Sequence, residues 1–143
     1  MDSLKDPYEL RVGVPSVEDY RRLRTTAGLS DKAPEAVRIA LPGTWFGVVL
    51  HHGGRPVGMG RIIGDGGTAF QVVDICVEPA HQGKGLGRRI MAALTGELER
   101  RAPATAYVSL IADGPARFLY EKFGFADTAT HGSIGMYRSM GTR

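Results

Sequence analysis

Residues 72 to 89 read Val72-Val73-Asp74-Ile75-Cys76-Val77-Glu78-Pro79-Ala80-His81-Gln82-Gly83-Lys84-Gly85-Leu86-Gly87-Arg88-Arg89. The pattern is a buried strand, a short turn, and a glycine loop that opens an amphipathic helix. A helix N-terminus leaves about four backbone N–H groups without intrahelical partners and carries partial positive charge. Glycines at 83, 85 and 87 remove side chains that would keep an anion from those amides, and Lys84 and Arg88 add full charge beside them. This is the physics of a phosphate or pyrophosphate cradle. Two other phosphate loops do not fit. A Walker A loop needs Ser or Thr after its Gly-Lys, where Gly85 stands, and a dinucleotide fingerprint needs Gly-x-Gly-x-x-Gly after a first strand. The bland alternative is a glycine-rich turn with a solvated basic helix face.

Four further groups around this stretch invite chemistry. Asp74 lies among Val72, Val73, Ile75 and Val77. Burying an unpaired carboxylate there is costly, so Asp74 needs a partner or a raised pKa. It is read either as a group that binds or deprotonates an amine or as a satisfied core aspartate. Glu78, before Pro79, is expected to be solvated at a surface turn, and His81 to be a surface loop histidine. Cys76, the one cysteine, reads as a small core residue before a nucleophile. His51-His52 is expected in a hairpin turn, without the carboxylate or cysteine neighbours of a metal site.

The elements that must position these residues follow from periodicity and punctuation. Tyr8 to Val14 alternates as a first strand. Ser16-Val17-Glu18-Asp19 resembles a capping box for a helix ending near Gly28, and Ala33 to Leu41 is a second helix stopped by Pro42-Gly43. Trp45 to Leu50 and Arg55 to Ile63 form a hairpin, and Ala69 to Val77 is the next strand. Gly85 to Arg101 carries Leu86, Ile90, Ala93, Leu94 and Leu98 at helical spacing. Thr105 to Ile111 is a strand, Asp113-Gly114-Pro115 starts a helix running through Phe123 with Gly124 as its cap, and Ser133 to Met140 is expected as a final strand. Strands and helices in this order make a mixed α/β sheet. Trp45, Phe46 and Phe70 are expected in the core.

The chain of 143 residues suits a single domain over 1–143, and 43% hydrophobic residues against 23% charged exclude global disorder. A formal charge of +3 is too small for a nucleic-acid tail, so no nucleic-acid partner is expected. The excess clusters at Lys84, Arg88 and Arg89, with Arg100 and Arg101 further along, which suits a small anionic ligand. No run is long and apolar enough to span a membrane, Met1 to Asp6 lacks the apolar core of a signal peptide, and a lone cysteine cannot form an internal disulfide. The cytoplasm is the expected compartment, with no membrane partner.

Gln82-Gly83-Lys84-Gly85-Leu86-Gly87 resembles the Gln/Arg-x-x-Gly-x-Gly/Ala motif of the GCN5-related N-acetyltransferase (GNAT) superfamily. The strand ending in Val77-Glu78-Pro79 is similar to that family's fourth strand. Independently, Ala116-Arg117-Phe118-Leu119-Tyr120-Glu121-Lys122-Phe123-Gly124-Phe125 resembles the family's later helix, with its tyrosine and closing Gly-Phe. The resemblance implies a mostly antiparallel, mixed central sheet of about six to seven strands with helices on both faces and strands four and five splayed apart.

It also implies acetyl-coenzyme A as donor and no metal. Amides from Gln82 through Gly83, Lys84, Gly85 and Leu86 to Gly87 would hold the pyrophosphate, with Arg88 following. At the strand end, around Ile75, Cys76 and Val77, backbone groups of Ile75 and Val77 would pair with the pantetheine arm. An amide there would polarise the thioester carbonyl, and the Tyr120 hydroxyl would serve the sulfur leaving group. The first two helices, with Tyr20, Arg21, Arg22, Arg24 and Asp31, would build the acceptor side.

The implied activity is acetyl transfer to a primary amine by direct attack. Asp74 to Gly87 and Ser109-Leu110-Ile111-Ala112-Asp113 also resemble plant and bacterial small-amine acetyltransferases, so a small-molecule amine is the expected acceptor. The alternatives are a non-catalytic acyl-coenzyme A sensor, or an acetyltransferase acting on protein or on aminoacyl-tRNA. A homodimer is compatible with the family.

Overall fold

The computed structural model describes residues 6–141. Met1 to Lys5, within the segment expected to lack the apolar core of a signal peptide, lie outside the described residues. The chain forms two compact units, residues 1–110 and 111–143.

The first unit is a five-stranded sheet in sequence order. Its strands are β1 (Tyr8–Val12), β2 (Phe46–His52), β3 (Arg55–Gly64), β4 (Ala69–Val77) and β5 (Tyr107–Ser109). β1 to β4 are antiparallel neighbours, and β5 runs parallel to β4. The mixed, mostly antiparallel architecture is as expected, but the described residues hold five strands rather than six or seven. β5 is three residues long instead of seven, and Ser133 to Met140 forms no strand; Ile134 and Met136 there are 77% and 86% exposed. A period-two pattern makes a strand only where a neighbour supplies the ladder.

Helix α1 (Val17–Thr26) starts as the sequence predicts, with the Ser16 hydroxyl accepting from the Asp19 amide at 3.1 Å. Helix α2 (Pro34–Ala40) has proline in its first turn and passes into a short 3₁₀ turn at Leu41–Gly43. Tyr20 and Leu23 of α1, Val37 of α2 and Leu41 pack with Met59 of β3 and Cys76 of β4 in one cluster. Helix α3 (Leu86–Arg101) lies against β2, β3 and β4 with Ile90, Met91 and Leu94 fully buried. It packs so close that a Cβ at Gly60 would fall 2.6 Å from Ile90 Cγ2 and 3.1 Å from Leu94 Cδ1. The α1 cluster and α3 thus cover opposite faces of β3 and β4.

Two turns set the register of the strands that lead to the glycine loop. Gly53 and Gly54 (φ +57° and +80°) close the β2–β3 hairpin in two residues, so His51 and His52 belong to β2 and not to the turn. The β3–β4 turn is held by Asp65, whose Oδ1 accepts from the amides of Gly67, Thr68 and Ala69 at 2.8, 2.9 and 3.1 Å. Those bonds, with the Thr68 hydroxyl, pull its carboxyl down from 3.8 to about 2. A carboxylate depressed by folding contributes stability above its unfolded pKa and loses it as pH falls through the folded one. The melting-temperature gap between wild type and Asp65→Asn should therefore be present at pH 7 and close between pH 3.8 and about 2. A gap that persists at the lowest pH would show that the bonds do not depend on the charge.

The second unit contains α4 (Ala116–Glu121) and a 3₁₀ turn at Thr128–His131. Gly124, at φ +90°, follows α4 and donates its amide to the Glu121 carbonyl at 3.2 Å, close to its expected role as the cap.

Candidate active site

β4 pairs with β3 along nearly its whole length, from Phe70 to Val77, but with β5 only at Ala69, Phe70 and Gln71. From Val72 to Val77 the edge of β4 that faces away from β3 has no strand partner among the described residues. An open edge offers its amides and carbonyls to an extended ligand as an added strand would use them. Ile75, Cys76 and Val77 lie on this open stretch. The opening begins immediately before an irregularity in β4. Met59 pairs with Cys76 but Arg61 with Val73, so Gly60 faces two residues, Asp74 and Ile75. This is a β-bulge. Asp74 sits in it at φ +61°, in the left-handed region.

Beyond Val77 a 3₁₀ turn at Pro79–His81 carries the chain into the loop. Gln82 uses its side chain to close that turn, donating from Nε2 to the Val77 carbonyl at 2.9 Å. Gly83 and Gly85 both adopt φ +78°, and nothing lies within 4 Å of a Cβ at either one. The glycines are therefore there for backbone conformation and open space, not for close packing. Gly85 is the N-cap of α3, and the Arg89 amide donates to its carbonyl at 3.2 Å. The loop amides ahead of Arg89 lie outside that ladder.

The basic cluster divides. Arg89 is tied to Asp6 at 2.8 Å, Arg100 and Arg101 both pair with the buried Glu97, and Arg101 also lies 4.2 Å over the Trp45 ring. Lys84 and Arg88 are exposed and make no ion pair among the described residues. The two cations flanking the left-handed glycines are the ones left to meet an anion.

Asp74 finds its partners on the opposite side from α3. Its Oδ1 accepts from Arg24 Nη1 at 2.7 Å and its Oδ2 from Arg61 Nε at 2.8 Å, with all three side chains 10% exposed or less. Tyr20 completes the group; burial, and then the Asp74 carboxylate it bonds, push its phenol up to about 12. Of the two readings of Asp74, the structure supplies the partners that the core reading requires. The sequence points to Arg24 only as an acceptor-side candidate and does not single out Arg61. The available signal was a lone arginine amid Met59, Ile62 and Ile63, the cation that a buried carboxylate requires.

Glu78 differs from its expectation of a solvated turn residue. It is buried, and its Oε1 accepts from Arg22 at 2.7 Å and Arg55 at 3.0 Å. Arg21 meets Asp31 at the surface at 2.8 Å. His81 is half-buried rather than a free surface residue. Its Nδ1 lies 2.8 Å from the Tyr8 hydroxyl, and its ring lies 5.0 Å from that of His52. Cys76 is buried, and desolvation raises its thiol to about 12, so it stays protonated near neutral pH. Phe70 is buried and packs edge-on to the half-buried Trp45 at 4.7 Å. Among the described residues no three His, Cys, Asp or Glu side chains are placed to hold a metal ion, and no helix is long and apolar enough to cross a membrane. Tyr120 stands in α4 of the second unit, half-buried.

A sheet that opens beside β4, a bulge at the opening and a left-handed glycine loop leading into α3 make a site suited to an extended ligand with an anionic end. Residues 43–127 match the model of the acetyltransferase (GNAT) domain. The chain belongs to that family. It is 38% identical over 87 residues to serotonin N-acetyltransferase 2, chloroplastic, of Oryza sativa subsp. japonica, covering 60% of this chain and 42% of the relative. It is 38% identical over 66 residues to the [ribosomal protein bS18]-alanine N-acetyltransferase of Escherichia coli K12, covering 46% of this chain and 43% of the relative. The chain thus matches less than half the length of either curated relative. A solved structure described as a probable acetyltransferase, from meticillin-resistant Staphylococcus aureus, is 44% identical with a TM-score of 0.88, covering 93% of this chain and 99% of that one.

Proposed function

We propose that the protein transfers an acetyl group from acetyl-coenzyme A to the primary amine of a small molecule, by direct attack. The observation that carries this reading is the open edge of β4 running into left-handed Gly83 and Gly85, with unpaired Lys84 and Arg88 beside them. In this reading the loop amides from Gly83 to Gly87 hold the pyrophosphate, because the Gln82 amide, expected to join them, already donates to the Pro79 carbonyl at 3.2 Å, and Arg88 adds charge. The β4 edge around Ile75, Cys76 and Val77 takes the pantetheine arm, and one of its amides polarises the thioester carbonyl.

An ordinary amine near pKa 10 is only about one part in a thousand neutral at pH 7, so it must first shed a proton to water. The neutral nitrogen attacks the thioester carbon and the C–S bond breaks. The sulfur leaves with a proton from Tyr120, and the surplus proton of the nitrogen passes through solvent back to the phenolate, which restores the tyrosine. The raised pKa of the Cys76 thiol supports direct transfer over a thiolate acyl-enzyme. The serotonin acetyltransferase among the relatives supports a small amine, and the ribosomal-protein acetyltransferase keeps a protein N-terminus as the second acceptor class. A lone buried thiol suits the cytoplasm.

Thiol release from acetyl-coenzyme A tests the proposal against a panel of arylalkylamines, polyamines, amino sugars and alanine-initiated peptides. Release with a small amine is the expected result. Release only with the peptides moves the acceptor to protein. Coenzyme A binding by calorimetry with no release on any amine makes the protein a sensor rather than an enzyme.

A further inference from the structure

Asp74 is in a conformation that side-chain-bearing residues rarely adopt, in the middle of a strand, one position before Ile75. Aspartate tolerates it better than most, but the surroundings do more than tolerate. Both cations that grip its carboxylate are themselves anchored elsewhere. Arg24 donates from Nε to the Ser30 carbonyl at 2.7 Å and from Nη2 to the Ser30 hydroxyl at 3.1 Å, and Arg61 donates from Nη1 to the Thr44 hydroxyl at 2.6 Å. The guanidiniums are thus fixed by α1, β3 and the segments that follow α1 and α2, so the carboxylate must come to them. A side chain pulled to that point, on the α1 side of the sheet, carries its own backbone into the bulge. The bulge lies three residues past Gln71, the last β4 residue paired with β5.

We infer that Arg24 and Arg61 are positioning residues: through the Asp74 carboxylate they hold the left-handed kink that sets the direction of the β4 amides on its open edge. The inference rests on the acetyl-transfer reading for what those amides do, and on the bonds that Asp74, Arg24 and Arg61 make for how they are held. It makes Asp74 an anchor for backbone geometry and not the base that takes the amine proton. The two roles separate cleanly, because glycine adopts a left-handed conformation freely and alanine does not.

The test compares Asp74→Gly with Asp74→Ala. Both lose the carboxylate and both are expected to melt below wild type. If the kink is what matters, kcat falls at least about tenfold in the alanine variant and stays within about threefold of wild type in the glycine variant. Equal losses in the two would overturn the inference, since the carboxylate itself would then be at work; so would full activity in alanine. Asp74→Asn, nearly isosteric and tolerant of the left-handed region, covers the case in which alanine fails to fold. Retained kcat supports the anchor, and a loss of about a hundredfold overturns it in favour of a base.

The same comparison is read without turnover from the Ile75 and Cys76 amide NMR shifts on adding acetyl-coenzyme A. These should follow wild type in glycine and asparagine and depart from it in alanine; departure in all three overturns the clamp. A wild type that binds acetyl-coenzyme A but acetylates nothing sinks the acetyl-transfer reading, while the amide shifts still decide the clamp.

Discussion

Gly85→Glu should lower affinity for acetyl-coenzyme A by at least about tenfold, ~1.4 kcal/mol, with the fold retained. The residue caps α3 at φ +78°, with nothing within 4 Å of a Cβ, so a side chain has room there and pays only in backbone conformation. Glutamate adds negative charge where a pyrophosphate is expected and covers the amides of the loop. Gly85→Ala pays the same conformational cost without the charge, so the difference between the two isolates electrostatics. Calorimetry with coenzyme A and with its dephosphorylated pantetheine portion completes the comparison. The loss should be large for the first ligand and small for the second. Equal affinity of wild type and Gly85→Glu for coenzyme A would remove the loop from the binding site.

Local features of this module were legible in the residues because each has a local cause. β4 runs from Ala69 to Val77 as its β-branched and aromatic content indicates, and α3 follows the spacing of Leu86, Ile90, Leu94 and Leu98. Left-handed Gly83 and Gly85 likewise have a local cause, a conformation that glycine takes at no steric cost and other residues rarely adopt. The misread residues are those whose surroundings arrive from far along the chain. Glu78-Pro79 has the composition of a surface turn, but Arg22 and Arg55, 56 and 23 residues earlier, close over Glu78 and bury it.

The same holds for Asp74. Its need for a partner follows from an apolar strand, but which partner depends on Arg24 and Arg61, 50 and 13 residues away. The bulge itself leaves no mark in hydrophobic periodicity, because an extra residue in one strand shows only against the register of the other. His51 and His52 stand in β2 and not in the turn for a smaller reason. Gly53 and Gly54 close the hairpin alone, and the adjoining polar pair merely shares the composition of a turn. At the C-terminus the alternation of Ser133 to Met140 carries strand propensity without a ladder to join.

Tyr120→Phe should lose at least about tenfold in kcat while binding coenzyme A normally, since general acid help is typically worth about 10²–10⁴-fold. Tyr120 lies in α4, a helix of six residues whose end is fixed by the Tyr120 carbonyl, which accepts from the Phe123 amide at 2.9 Å and the Phe125 amide at 3.3 Å. Neither bond involves the phenol. Phenylalanine keeps the ring and both of these backbone bonds, so the substitution removes only the hydroxyl and the contacts it makes.

As the tetrahedral intermediate collapses, charge builds on the departing sulfur, and a proton from the phenol would lower that barrier. A thiol that leaves with a less basic sulfur needs the proton less. The deficit of Tyr120→Phe should accordingly shrink with an acetyl donor whose thiol is more acidic than coenzyme A, and the melting temperature should stay within a few degrees of wild type. A kcat that holds while the melting temperature drops would make Tyr120 a packing residue, with water protonating the leaving group. A loss of kcat that is the same for acidic and ordinary thiols would place the hydroxyl's role before C–S cleavage, on the amine rather than the sulfur.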